Sequence, residues 1–145
     1  MRLILVPKKK AMSLIPQIDK VIYYYLSDDY AYFLELKRTL GGNVEIRTLS
    51  GLFDETFQEI KEPFLKLITN LNKKHNSFEW WGGELASRNP AATPLLHNIT
   101  YLFSVKKILA SFSEKIGFIL ESHALSDCIS TLPGQRDFKS EIIKV

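Results

Sequence analysis

Three short runs along the chain are almost wholly apolar, and each stops at a turn-forming or charged residue. Leu3-Ile4-Leu5-Val6 ends at Pro7, Val21-Ile22-Tyr23-Tyr24-Tyr25-Leu26 ends at Ser27-Asp28-Asp29, and Ile116-Gly117-Phe118-Ile119-Leu120 ends at Glu121. Continuous runs of this length, rich in β-branched and aromatic residues, predict strands covered on both faces, because a half-exposed strand alternates instead. Asn43 to Leu49 does alternate apolar and polar positions, as a strand nearer a sheet edge should. The stretch Ile142-Ile143-Lys144-Val145 reads as a last strand.

Helical spacing fills the intervals. Tyr30, Phe33, Leu34, Leu36 and Leu40 form a stripe over Tyr30 to Leu40, with Ser27, Asp28 or Asp29 as cap and Gly41-Gly42 as terminator. From Phe53, apolar residues fall at Phe57, Ile60, Phe64, Leu67, Ile68 and Leu71, in steps of three and four, which predicts a helix that Pro63 kinks or divides. Leu95, Ile99, Leu102, Phe103, Val105, Ile108, Leu109 and Phe112 predict a further helix from a Thr93 cap and Pro94 to Glu114. A last helix is expected from Ala124 to Leu132, before Pro133-Gly134. Strands alternating with helices call for parallel pairing through helical crossovers. The expected architecture is therefore a single α/β domain over residues 1–145, Rossmann-like and doubly wound, with a mostly parallel sheet and helices on both faces.

Composition removes several classes of function. The 19 Lys+Arg against 16 Asp+Glu leave a net charge of +3, and outside Lys8-Lys9-Lys10 the lysines are dispersed, so no nucleic-acid partner is expected. The one cysteine, Cys128, excludes an internal disulfide or a cysteine-built zinc site and suits a cytoplasmic chain. The three lysines follow the first apolar run rather than precede it, the reverse of a secretory signal. Lys106, Lys107, Glu114 and Lys115 interrupt the longest apolar stretch well short of the roughly 20 residues that a membrane span needs. Glycine-rich dinucleotide and phosphate loops, the hydrolase nucleophile elbow and the zincin motif are all absent, and His75, His97 and His123 share no ligand spacing. No metal and no cofactor are expected.

Chemistry is expected at the carboxyl ends of the strands, where open α/β sheets collect ligands. Ser27-Asp28-Asp29 reads first as a helix cap. Glu121-Ser122-His123 places a carboxylate, a hydroxyl and an imidazole within three residues, so Glu121 and His123 are candidate catalytic acid–base groups; the plainer alternative is that Ser122 or His123 caps the following helix. The second candidate segment is Asn76 to Pro90. Trp80 and Trp81 beside Gly82-Gly83 offer flat platforms for sugar rings, Arg88 offers a planar fork for an anion, and Ser87 and Asn89 add hydrogen-bond partners. The alternative is that the two indoles fill the core beneath a long connection.

The stretch from Ser77 through Phe103 resembles the N-terminal region of a bacterial family of surface carbohydrate biosynthesis proteins, themselves similar to two-domain GT-B-type glycosyltransferases. Glu79-Trp80-Trp81, Ser87-Arg88-Asn89-Pro90 and Thr93-Pro94-Leu95-Leu96 carry the resemblance. It implies an acceptor-side, Rossmann-like half of an enzyme of polysaccharide or lipopolysaccharide synthesis. The partner would be a glycan or lipid-linked sugar acceptor, and a nucleotide-sugar donor would need a second domain beyond Val145. It gives Trp81, Ser87, Arg88 and Asn89 the roles of platform, hydrogen-bond partners and anion clamp. The rival expectation is a non-catalytic module docking on a partner protein or the inner membrane face through the helix from Thr93 to Glu114, with Lys106, Lys107 and Lys115 beside its apolar side.

Overall fold

The computed structural model describes residues 3–17, 21–42, 44–81, 83, 94–111, 115–132 and 141–142. The chain divides into two compact units, Met1–Leu49 with Val105–Val145, and Ser50–Ser104.

The first unit is built on a parallel sheet. Its strands are β1 (Leu3–Pro7), β2 (Ile22–Leu26), β3 (Glu45–Thr48), β4 (Ile116–Leu120) and the two-residue β5 (Glu141–Ile142), in spatial order β3-β2-β4-β1-β5. All four pairings are parallel, and the register aligns Pro7, Leu120 and Leu26 on one rung. Because side chains alternate, Ile4, Val6, Tyr23, Tyr25, Ile46 and Ile119 leave one face together. There they pack with Ala11 and Ile15, from α1 (Ala11–Leu14) and the 3-10 turn after it, and with Phe33, Leu36 and Leu40 of α2 (Tyr30–Leu40). Leu3, Leu5, Tyr24, Leu26, Phe118 and Leu120 leave the other face and are also buried. The crossovers run outward from β1 through β2 to β3 and then reverse. A right-handed connection therefore places α6 (His123–Ser130), which packs on β4, on that second face. This is the doubly wound α/β arrangement that the alternation of runs predicts.

Gly117 shows how closely the middle of the sheet is fitted. Tyr23, on the adjacent strand and fully buried, lays its ring over this residue, so any Cβ would collide with the ring. The glycine sits inside an otherwise bulky strand because its neighbour's aromatic ring occupies the space.

The second unit pairs α3 (Ser50–Lys74) with the one-turn α4 (Phe78–Trp81) and the first part of α5 (Leu95–Ser111), and Phe64, Ile68 and Leu96 form its small core. Pro63 does not divide α3. It is exposed, and the carbonyl its missing N–H would have met belongs to Glu59, also exposed, so water can serve that oxygen without breaking the helix. Leu96, Tyr101, Val105 and Ile108 of α5 are buried, as in a core helix, and its exposed large apolar residue is Phe103. Among the described residues no helix is long and apolar enough to cross a membrane. Thr93, residues 112–114 and Pro133-Gly134, expected to bound helices, lie outside the described residues.

Candidate functional site

The carboxyl ends of β1, β4 and β2 lie side by side, and the residue after each strand is Lys8, Glu121 and Ser27 respectively. Continuing the aligned register by one residue puts these three side chains on a common level. Lys8 Nζ lies 2.9 Å from Asp29 Oδ2 and 3.3 Å from Glu121 Oε2, and it donates to Ser27 Oγ at 3.4 Å. Ser27 Oγ–H donates to Glu121 Oε2 at 2.6 Å and accepts from the Asp29 backbone N–H at 3.3 Å. The three ammonium hydrogens thus have three acceptors, and the serine hydroxyl uses its donor and its lone pairs. The Lys8 side chain is only 14% exposed, whereas Glu121 is 63% exposed, and no hydrogen bond engages Glu121 Oε1 among the described residues.

Two tyrosines hold the frame. Tyr32 O–H donates to the Lys8 carbonyl at 2.8 Å, and its ring lies 5.6 Å from the ammonium; Tyr25 O–H donates to the Asp29 carbonyl at 3.0 Å. Asp29 is the N-cap of α2, its Oδ1 accepting from Tyr32 N–H at 3.0 Å. Ser122 caps α6 by accepting from Leu125 N–H at 3.2 Å. Both cap readings therefore hold, but capping does not exhaust the acidic segments: Asp29 Oδ2 and Glu121 turn to the lysine instead.

Electrostatics follow from these bonds. The Ser27 hydroxyl bond, then Lys8, hold the Glu121 carboxyl below its ordinary value against a partial burial that works the other way. Asp29 is lowered by the Tyr32 backbone N–H and by Lys8. Burial opposes the charge on Lys8, but its bonds to Asp29 and Glu121 outweigh it and the pKa rises. At neutral pH the cluster is one cation and two carboxylates, net −1. It has an exposed carboxylate to offer, and its one cation is already paired, so it repels phosphate and accepts hydrogen bonds from hydroxyls or cations.

The shifts carry a prediction. Depressed carboxyls add stability that is complete above their ordinary values of 4.5 and 3.8 and is lost as pH falls through the folded values. The raised Lys8 adds stability that is complete below 10.5 and is lost as pH rises through its folded value. Melting temperature against pH is therefore expected to be flat from about pH 5 to 10 and to fall on both sides. Both carboxylates are substantially exposed, so the acid limb is shallow and shrinks further in high salt. A Glu121→Gln protein with an unchanged acid limb would contradict the assignment.

His123 opens α6 and is exposed, and among the described residues no hydrogen bond joins it to Glu121. Trp80 and Trp81 fall in the second unit. Trp80 is half-buried, its indole N–H donating to Asn72 Oδ1 at 2.8 Å, while Trp81 is 52% exposed and donates to Asn76 Oδ1 at 2.8 Å. Ser87, Arg88 and Asn89 lie outside the described residues. Sequence reasoning missed Lys8, Tyr25 and Tyr32. The signal for Lys8 was its place directly after a buried-type run, the same criterion that selects Ser27 and Glu121, but three consecutive lysines read as solvated charge.

An open groove of about 770 Å³ lies elsewhere in the first unit, lined among others by Tyr30, Phe33, Lys37 and Arg47 along β3. Arg47 already pairs with Glu45 at 2.6 Å, and the groove borders an outer strand. The cluster is the better site, because it stands where adjacent β1 and β4 send their chains to opposite faces, the position at which such sheets form a crevice. Among the described residues no group of three or more His, Cys, Asp or Glu side chains could hold a metal. No protein-family profile, curated protein or solved structure matches the chain.

Proposed function

We propose that the Lys8–Ser27–Asp29–Glu121 cluster holds the hydroxyl groups of a sugar acceptor, in an acceptor-side, Rossmann-like half of a glycosyltransferase of surface polysaccharide or lipopolysaccharide synthesis. The observation that supports it most is the ionised, exposed Glu121 at the strand ends, with its Oε2 locked by Ser27 and Lys8. Such a carboxylate receives an acceptor hydroxyl and can take its proton as the oxygen attacks the anomeric carbon of a donor sugar, whose bond to the nucleoside diphosphate breaks with that diphosphate as the leaving group. Held below its ordinary pKa, Glu121 is a base or hydrogen-bond acceptor at neutral pH, not an acid. A net negative cluster suits a neutral, hydroxyl-rich acceptor far better than the diphosphate of a nucleotide-sugar, so this reading places the donor elsewhere. A lipid-linked acceptor would bring the chain to the inner face of the cytoplasmic membrane.

The test is titration of the full chain with methyl glycosides and short oligosaccharides, followed by amide NMR. Saturable shifts at Ser27, Asp29, Glu121 and Ser122, absent in Glu121→Ala, are expected. Shifts there with inorganic phosphate or a nucleoside diphosphate, and none with any glycoside, would overturn the proposal.

A further inference from the structure

Two aromatic side chains of the second unit stand clear of its core. Phe78 and Trp81 are three residues apart on the single turn of α4, so both rings leave the same side of it. Phe78 is 90% exposed and Trp81 52%. The turn beneath them is anchored: Trp80 points away from them, bonded to the buried Asn72 and with its ring centroid 5.2 Å from that of His75. Trp81 is oriented by the bond from its indole N–H to Asn76. The protein itself thus satisfies the indole's polar atom and leaves the ring's apolar surface outward. Scattered exposed apolar residues are ordinary, but two large rings projected together from one fixed turn are not.

Charge is segregated along the helix that leads to this turn. The first half of α3 carries Asp54, Glu55, Glu59 and Glu62 with Lys61, whereas from Pro63 to Phe78 the charged residues are Lys66, Lys73 and Lys74, with no carboxylate. Lys73 and Lys74 are exposed in the last turn of α3, five and four residues before Phe78. Glu79 is the one acid within α4, held ionised by its own backbone N–H and the Ser77 hydroxyl, so with Lys73 and Lys74 this end of the unit keeps a net positive charge of one.

We infer that α4 and the basic end of α3 form a docking surface for an anionic lipid bilayer, with Phe78 and Trp81 entering the headgroup–acyl boundary and Lys73 and Lys74 meeting lipid phosphates. Aromatic rings flanked by lysines match that boundary in polarity and sign. A soluble glycan is the poorer occupant, since a ring exposed like Phe78 has no facing wall among the described residues and a sugar needs hydrogen bonds around its rim. The inference does not rest on the sugar-acceptor reading: its residues belong to the other unit, and its readout is lipid binding alone.

The experiment is flotation of the full chain with vesicles of phosphatidylcholine alone and of phosphatidylcholine with one-quarter phosphatidylglycerol. The protein is expected to float with the anionic vesicles and to release them in high salt. Partitioning should fall roughly tenfold in Phe78→Ser/Trp81→Ser, and similarly in Lys73→Glu/Lys74→Glu. All four positions are exposed, so circular dichroism should be unchanged. In Trp80→Phe, which leaves Trp81 as the sole indole, brominated acyl chains should quench the fluorescence. A protein that stays unbound with anionic vesicles, or a double-serine variant that floats like wild type, overturns the inference. So does a Trp81 fluorescence change with soluble saccharides and none with vesicles.

Discussion

Replacing Phe118 with alanine is expected to lower the stability of the first unit by about 3–5 kcal/mol, the largest effect of any single truncation considered for this chain. Phe118 is fully buried in β4, the middle strand, on the face where its ring centroid lies 6.0 Å from that of Tyr24. Neighbours cannot collapse into the gap, because the strands on both sides are fixed in register with β4 by their hydrogen bonds. The cost is thus the lost transfer energy of the ring plus that of a cavity that stays open. For a chain of this size that is a drop in melting temperature of roughly 6–20 °C, a large share of an ordinary domain's stability. Leu34→Ala provides the control, since Leu34 is 48% exposed and should shift stability by no more than about 0.5 kcal/mol. Thermal and urea melts of the two variants check the ordering. Equal midpoints would mean that the sheet is not packed around β4 as described.

The second large effect is expected at Lys8. Lys8→Met removes the one cation that separates Asp29 Oδ2 from Glu121 Oε2 and keeps a side chain of similar length against the Tyr32 ring. Two carboxylates then share a space that had held a counter-ion, so the Glu121 carboxyl should titrate at higher pH than in wild type. Carboxyl ¹³C NMR reads this directly, and an unmoved midpoint would remove the cluster's electrostatic basis. On the acceptor reading, Glu121→Gln weakens the charge-assisted hydrogen bond to the ligand, and glycoside affinity should fall roughly 10- to 100-fold. The two variants separate the questions: the first tests the cluster itself, the second its use.

Local signals delimited some elements closely. α2 begins and ends where the pattern places it, because an Asp29 side chain accepts a backbone N–H at one end and glycine follows Leu40 at the other. β4 likewise spans the apolar run Ile116 to Leu120, bounded by charged residues. α6 starts one residue earlier than its pattern suggested and ends at Ser130, since the Ser122 cap makes His123 the first helical residue. The short helical turns between Lys8 and Gln17 went unread, being too brief to show a 3.6-residue period. Of the candidate site, Glu121 and the Ser27–Asp29 turn were visible as residues at strand ends. Their common partner was not.

By itself the sequence determined the class of fold and the side chains at each strand end, because burial on both faces of a parallel strand writes an unbroken apolar run that a turn-forming or charged residue closes. It also determined that two indoles follow a lysine pair. Only the tertiary structure decided which strand ends are neighbours. Placing β4 between β2 and β1 brings Ser27 and Glu121, 94 residues apart, to 2.6 Å and sets Lys8 beside both. Strand order depends on which apolar faces pack together over long chain separations, and no local period records that. The same holds for the indoles: only the folded chain could turn Trp80 toward Asn72 and leave Trp81 outside, since both have the same neighbours in sequence and differ only in the side of one helical turn they occupy.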